Sequence, residues 1–179
     1  MDVSPLTQRF RQIDEALRDE AEQDTSKVGM GTTLTVAISL ADSLMIGHMG
    51  DSRAYLMRGN SLLQLTSDHT LAQALVDAGM APPEGPSMEA LHHVLTAALG
   101  ASSKRTDPQV LRFRLSHNDQ VLLCTDGLTG MVKAETIASV LSENSSPKQT
   151  CDSLIDLALS AGGVDNVTVV LARYEFPQA

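Results

Sequence analysis

Thr32-Thr33-Leu34-Thr35-Val36-Ala37-Ile38-Ser39-Leu40 decides the fold class. Leu34, Val36, Ile38 and Leu40 alternate with Thr33, Thr35, Ala37 and Ser39, and a repeat of two is the period of a strand with one face on a core. The residues that follow continue the theme. Ala41-Asp42-Ser43 turns into a second strand, Leu44 to Met49, and a third runs from Arg53 to Met57. Arg58-Gly59-Asn60 is a hairpin signal into a fourth, Leu62 to Leu65. These strands together predict an antiparallel meander.

Outward from the meander the period changes. Towards the N-terminus, Ser4-Pro5 makes a helix cap and first turn, and Leu6, Phe10, Ile13 and Leu17 recur at helical spacing as far as about Glu22. Gly29-Met30-Gly31 separates that helix from the strands. On the other side, Leu71, Ala74, Leu75 and Ala78 share a helical face closed by Gly79. Ala81-Pro82-Pro83-Glu84-Gly85-Pro86-Ser87 excludes helix and central strand and reads as an exposed loop or flap. A short helical stretch follows near Met88 to His92. Val110 to Leu115 alternates again, Asn118-Asp119 marks a turn, and Val121-Leu122-Leu123-Cys124 suits a buried strand. Thr136 to Ser142 is helical in pattern. Ser146-Pro147 opens a last helix with Cys151, Leu154, Ile155, Ala158 and Leu159 on one face, and Val167 to Arg173 is a final strand. The order predicts an α+β protein with mainly antiparallel sheet, a single domain over residues 1–179.

Composition narrows the function classes. A formal charge of −9 argues against nucleic acid or an anionic membrane surface as partner, because both demand basic patches. No apolar run reaches membrane-spanning length, and Met1-Asp2-Val3-Ser4 lacks the basic-then-apolar order of a signal peptide. Cys124 and Cys151 cannot make a disulfide framework, so free thiols in a reducing cytoplasm are expected. Only 3% of residues are aromatic and Trp is absent, which leaves no stacking platform for bases or sugars.

Three aspartates stand where a strand gives way to a turn: Asp51 in Met49-Gly50-Asp51-Ser52-Arg53, Asp126 in Cys124-Thr125-Asp126-Gly127-Leu128, and Asp165 in Gly163-Val164-Asp165-Asn166-Val167. A carboxylate at the end of a buried strand must meet water, a cation or a metal, since an unpaired buried charge is too costly. Three of them, brought together, would suit a hard divalent cation. Plainer roles stay open. Asp126 and Asp165 suit turns, Asp51 suits an ion pair with Arg53, and Asp68-His69 suits a helix cap. His48 is expected to be packed or hydrogen-bonded, His92-His93 make a poor metal pair, and Arg112 and Arg114 suit a solvated face.

Six segments in order carry a family resemblance: Gly29-Met30-Gly31-Thr32-Thr33, Gly50-Asp51-Ser52-Arg53-Ala54-Tyr55, Thr66-Ser67-Asp68-His69-Thr70, Val94-Leu95-Thr96-Ala97-Ala98-Leu99-Gly100, Leu123-Cys124-Thr125-Asp126-Gly127-Leu128 and Asp165-Asn166-Val167-Thr168-Val169-Val170. Together they resemble the metal-dependent type-2C protein phosphatases in their bacterial form. The resemblance implies a sandwich of antiparallel sheets flanked by helices, and hydrolysis of phosphoserine and phosphothreonine in proteins at a centre of Mg²⁺ or Mn²⁺. It places Asp126 and Asp165 among the metal ligands, and Asp51 with the aspartate at position 126 at a third, weaker metal. The partners it implies are a phosphoprotein substrate or a Ser/Thr kinase.

The chain departs from the pattern at its start. The family's N-terminal strands, with an acidic motif, a phosphate-binding arginine and an Asp-Gly-x-Gly-Gly metal loop, have no counterpart in these residues. The fold is therefore expected to be N-terminally truncated, the isolated chain impaired, and an exposed sheet edge available for a homodimer. The flap carries Glu89-Ala90 where many members have His-Pro. A catalytically dead regulatory or phosphoprotein-binding module of the same fold is the alternative reading.

Overall fold

The computed structural model describes residues 2–82, 85–101, 107–143 and 145–177. The chain divides into two compact units. The first comprises Met1–Ile38, Met45–Asp51 and Ser67–Arg112; the second comprises Ser39–Leu44, Ser52–Thr66 and Phe113–Ala179.

The first unit opens with helix α1, Ser4–Gln23. Ser4 is the first helical residue rather than the cap. The Asp2 carboxylate accepts from the Ser4 amide at 3.0 Å, which satisfies one of the orphan donors at the helix start. Leu6 and Phe10 are buried against Met45, Met49, Ala97 and Leu99, with Leu17, Leu34, Val36 and Val110 packed around them. Ile13, on the same predicted stripe, is 40% exposed. Strands β1 (Leu34–Leu40), β2 (Ser43–Met49) and β5 (Gln109–Arg114) form a three-stranded sheet in the order β1-β2-β5. The alternation predicted for β1 holds for Leu34 and Val36 but not for its end, where Ile38 and Leu40 are exposed. Helix α2, Leu71–Asp77, ends as its sequence demands: Gly79 takes φ +67°, and the amides of Gly79 and Met80 close back on Val76 and Leu75. Its cap is Thr70, whose hydroxyl oxygen accepts from the Gln73 amide, and not Asp68. Helix α3, Pro86–Glu89, leads into a 3-10 turn over Ala90–His93. In the expected flap, residues 83 and 84 lie outside the described residues.

The second unit holds a four-stranded sheet in the order β4-β3-β6-β7, formed by β3 (Arg53–Arg58), β4 (Ser61–Gln64), β6 (Gln120–Cys124) and β7 (Val169–Arg173). All three of its pairings are antiparallel. Arg58 pairs with Ser61 across a tight Gly59-Asn60 hairpin, with Gly59 at φ +58°. The predicted single meander is thus corrected: β1 and β2 belong to one sheet, β3 and β4 to another. The break falls at Gly50, whose φ of +114° ends the extended run before Asp51. Helices α4 (Asp126–Thr129), α5 (Ala134–Ser142) and α6 (Pro147–Ser160) complete the unit. Ser146 and Gln149 form a reciprocal capping box at the start of α6. Leu154 and Ala158 of α6 enter a core with Tyr55, Met57, Leu122, Cys124, Leu128, Ile137 and Leu141. Leu159, expected on that face, is instead 57% exposed. The turn before β6 is tied by Asp119, whose carboxylate accepts from both Arg58 Nε and Nη2 and from the Ser116 amide. Burial alone would raise the Asp119 pKa, but these donors outweigh it and hold the carboxyl below its ordinary value.

Two residues of these cores make measurable predictions. Leu154 has no exposed surface, so Leu154→Ala should lower unfolding stability by ~2–5 kcal/mol in a urea titration. A loss below ~1 kcal/mol would mean that the surrounding side chains close the cavity.

His48, fully buried on β2, is the second. Its Nε2–H donates to the Ser67 carbonyl at 3.1 Å and its Nδ1 accepts from the Thr35 hydroxyl at 2.8 Å, the pattern of a neutral ring. Burial first, and the neighbouring His69 second, push its pKa from 6.5 down to about 4. The unfolded chain therefore takes up this proton from about pH 6.5, and the native chain only near pH 4. Stability from this group is complete above the first value and is lost as pH falls towards the second, by up to ~1.4 kcal/mol per pH unit. Denaturation midpoints followed between pH 7.5 and 4.5 should show this slope, and His48→Gln should flatten it.

Candidate metal centre

Asp126 and Asp165 are brought to the same end of one sheet by the pairing of β6 with β7. The register runs from Gln120–Arg173 to Cys124–Val169, and both aspartates lie just past its end. The ladder continues beyond the strands. Thr125 N donates to the Thr168 carbonyl at 3.1 Å, and Thr125 Oγ1 accepts from the Thr168 amide at 3.0 Å while donating to the Asn166 carbonyl at 3.2 Å. Gly127 is obligatory at this junction, because a Cβ there would stand 2.3 Å from the Asn166 carbonyl oxygen. The Asp126 loop and the Asp165 loop therefore lie against each other, held by the Thr125 amide and hydroxyl.

Asp126 is the first residue of α4 and is half-buried. Asp165 is exposed, and its Oδ1 accepts from its neighbour's amide, Asn166, at 2.7 Å, which fixes the carboxylate at the tip of its loop. Beside it opens a shallow depression of about 400 Å³, lined by Ile155, Leu159, Gly163, Val164, Asn166 and Val167 as well as Asp165. Two carboxylates on rigidly joined loops fit a hard divalent cation, which takes oxygen ligands and retains water at the rest of its coordination positions. Among the described residues no group of three or more His, Cys, Asp or Glu side chains is gathered to hold a metal ion.

Asp51 belongs to the first unit and is half-buried. The expected ion-pair partner, Arg53, donates from Nη1 to the Tyr55 hydroxyl at 3.2 Å. What the sequence did not foretell is the scaffold before Asp51. His69 donates its amide to the Gly50 carbonyl at 2.8 Å, and its Nδ1 accepts from the Gly50 amide at 3.0 Å. Burial depresses the His69 pKa, in keeping with an unprotonated Nδ1 that accepts. The His69 ring also stacks on His48, with centroids 4.9 Å apart. The sequence signal for this arrangement was the position of His69 within the Thr66 to Thr70 segment, where Asp68-His69 reads as a helix cap.

Comparison with known proteins identifies the family. The sequence pattern described as Protein phosphatase 2C matches residues 2–75. Serine/threonine phosphatase stp of Listeria welshimeri is 35% identical over 174 residues, covering 97% of this chain and 68% of the relative. Serine/threonine protein phosphatase PstP of Mycobacterium tuberculosis is 36% identical over 170 residues, covering 95% of this chain and 32% of the relative. The chain thus spans about two thirds of the first relative and about a third of the second. Among solved structures, the catalytic domain of PstP in complex with two manganese ions superposes with a TM-score of 0.78 at 39% identity, covering 88% of this chain and 65% of that one. The chain has the α+β fold of these domains, and it belongs to the protein phosphatase 2C family of Mn²⁺- or Mg²⁺-dependent serine/threonine phosphatases.

Proposed function

We propose that these 179 residues supply the larger part of a phosphatase domain that removes phosphate from serine and threonine of a phosphoprotein, a Ser/Thr kinase or its substrate among them. The observation that carries the reading is the clamp made by the Thr125 amide and hydroxyl on residues 166–168, which holds the Asp126 and Asp165 loops at one end of the β6–β7 ladder. In this reading Asp126 and Asp165 each offer carboxylate oxygens to Mg²⁺ or Mn²⁺, and Asp51 serves a further, weaker ion. Bound ions would polarise the phosphoryl group and acidify a water for in-line attack. The chain's own part is to fix those oxygens. Thr125 and Gly127 set the angle of the Asp126 loop, and the Asn166 amide holds the Asp165 carboxylate. The two cysteines are free thiols, which supports a cytoplasmic setting. Among the described residues no helix is long and apolar enough to cross a membrane.

Calorimetric titration of Mn²⁺ tests the ligand assignment. Asp126→Ala and Asp165→Ala should each weaken binding by ~10-fold or more, equivalent to ~1.4 kcal/mol. Equal affinity in either variant removes that residue from the site. No Asp-Gly-x-Gly-Gly occurs in these residues, so their ligand set is incomplete on its own. Hydrolysis of an aryl phosphate and of a phosphothreonine peptide should accordingly be slow, since a misplacement of ~1 Å costs ~10²-fold in rate. Fast, Mn²⁺-dependent turnover that disappears in Asp165→Ala would show that the set is sufficient as it stands.

Self-association follows from the sheet edge. Strand β7 ends the order β4-β3-β6-β7, and Val170 upon it is 54% exposed, with Leu159 at 57% and Val164 at 79% nearby in sequence. An apolar edge strand is a template for a second copy. Light scattering after size-exclusion chromatography at micromolar concentration should report a dimer that Val170→Lys converts to monomer. A stable monomer without the substitution defeats the idea.

A further inference from the structure

The structure assigns His69 a role as a positioning residue for Asp51, exerted through the backbone of Gly50. This rests on the reading of Asp51 as a metal ligand and adds a residue that fixes it. The argument begins with Gly50. Its φ of +114° is one that side-chain-bearing residues rarely adopt, and a Cβ placed there would lie 2.3 Å from Thr33 Cγ2. The peptide before Asp51 is therefore confined sterically on the Thr33 side.

His69 confines it by hydrogen bonding. One residue meets both polar groups of Gly50: its own amide donates to the Gly50 carbonyl at 2.8 Å, and its Nδ1 accepts from the Gly50 amide at 3.0 Å. Gly50 is buried, so its amide has no water to fall back on if the imidazole is removed. The imidazole is itself fixed in three ways. Its ring stacks on His48. His48 is pinned between the Thr35 hydroxyl and the Ser67 carbonyl. The His69 carbonyl accepts from the Thr96 amide at 2.8 Å, which anchors the backbone that carries the ring. The chain of contacts therefore ends one peptide bond from Asp51. A two-point bond at that place leaves the aspartate's Cα little freedom, and a ligand carboxylate gains from pre-organisation of this kind.

A merely structural role, satisfaction of a buried amide, predicts lower stability and nothing specific about the metal. The two roles separate by rescue and by coupling. His69→Phe keeps a ring to stack on His48 but offers no acceptor to Gly50. His69→Asn returns an acceptor near the Nδ1 position. These variants, Asp51→Asn and the double variants of Asp51→Asn with His69→Phe and with His69→Asn are titrated with Mn²⁺ by calorimetry. Amide exchange at Gly50 is followed by NMR without metal.

His69→Phe should accelerate Gly50 exchange and weaken, by ~10-fold, the Mn²⁺ binding that Asp51→Asn also weakens. His69→Asn should recover most of both. In the Asp51→Asn background the Phe substitution should cost no further affinity. If Asp51→Asn weakens binding but His69→Phe does not, or if His69→Phe costs as much affinity in the Asp51→Asn background as alone, the positioning role is overturned and the metal assignment stands. If Asp51→Asn leaves binding unchanged, the assignment of Asp51 fails and takes the positioning role with it. Should His69→Phe not fold, His69→Asn decides on the same measurements: affinity and exchange close to those of the parent protein support the role, and a tenfold loss that persists in the Asp51→Asn background overturns it.

Discussion

The antiparallel ladder between β6 and β7 is the constraint on which the proposed metal centre depends. It joins residues some forty-five to fifty-three positions apart in sequence, and it does so with backbone bonds that tolerate almost any side chain. Past Cys124 and Val169 the strands would ordinarily splay. Here Thr125 takes over, with its amide, its hydroxyl proton and its hydroxyl oxygen each occupied by the opposite loop. The close approach of Gly127 to Asn166 is possible only without a Cβ. Carboxylates carried by such loops are spared much of the ordering entropy that a flexible loop would lose on binding a cation.

Behind the ladder stands the core of the second unit. Leu122 and Cys124 of β6 face Leu128, Ile137, Leu141 and Leu154, so the strand that delivers Asp126 is anchored by several fully buried side chains. Force on the site is resisted by packing as well as by hydrogen bonds, because a close-packed interior yields little. Arg58 and Asp119 do similar work at the far end of the same strand, where a charged pair, buried on the aspartate side, fixes the turn before Gln120.

The first unit solves the same problem with other chemistry. Asp51 follows a glycine that no other residue can replace without strain, and a stacked pair of histidines, His48 buried and His69 half-buried, secures that glycine. Keeping the buried His48 imidazole uncharged costs stability in acid, as its depressed pKa shows. Two aspartates are thus fixed by a ladder and its extension, and the third by a ring of side-chain and backbone bonds around one peptide.

The sequence alone determined the elements and their order. Period two over Leu34 to Leu40, the hairpin at Gly59-Asn60, the cap at Ser146 and the glycine stop after α2 are local effects, written within a few residues, and each occurs where its pattern places it. The family was legible for a related reason: its motifs are short turns with fixed residue types, in fixed order. What only the tertiary structure decided is non-local. No periodicity in Leu44 to Leu65 says that the chain leaves one sheet at Gly50 and joins another, since pairing partners come from β5 and β6, many residues away. Likewise Leu159 reads as apolar and helical, yet whether that face is covered depends on what else is packed nearby. The role of His69 was equally hidden, because a histidine in a turn becomes a clamp only when another loop brings a buried amide to its Nδ1. Local chemistry selects the pieces, and burial across the chain selects what each piece does.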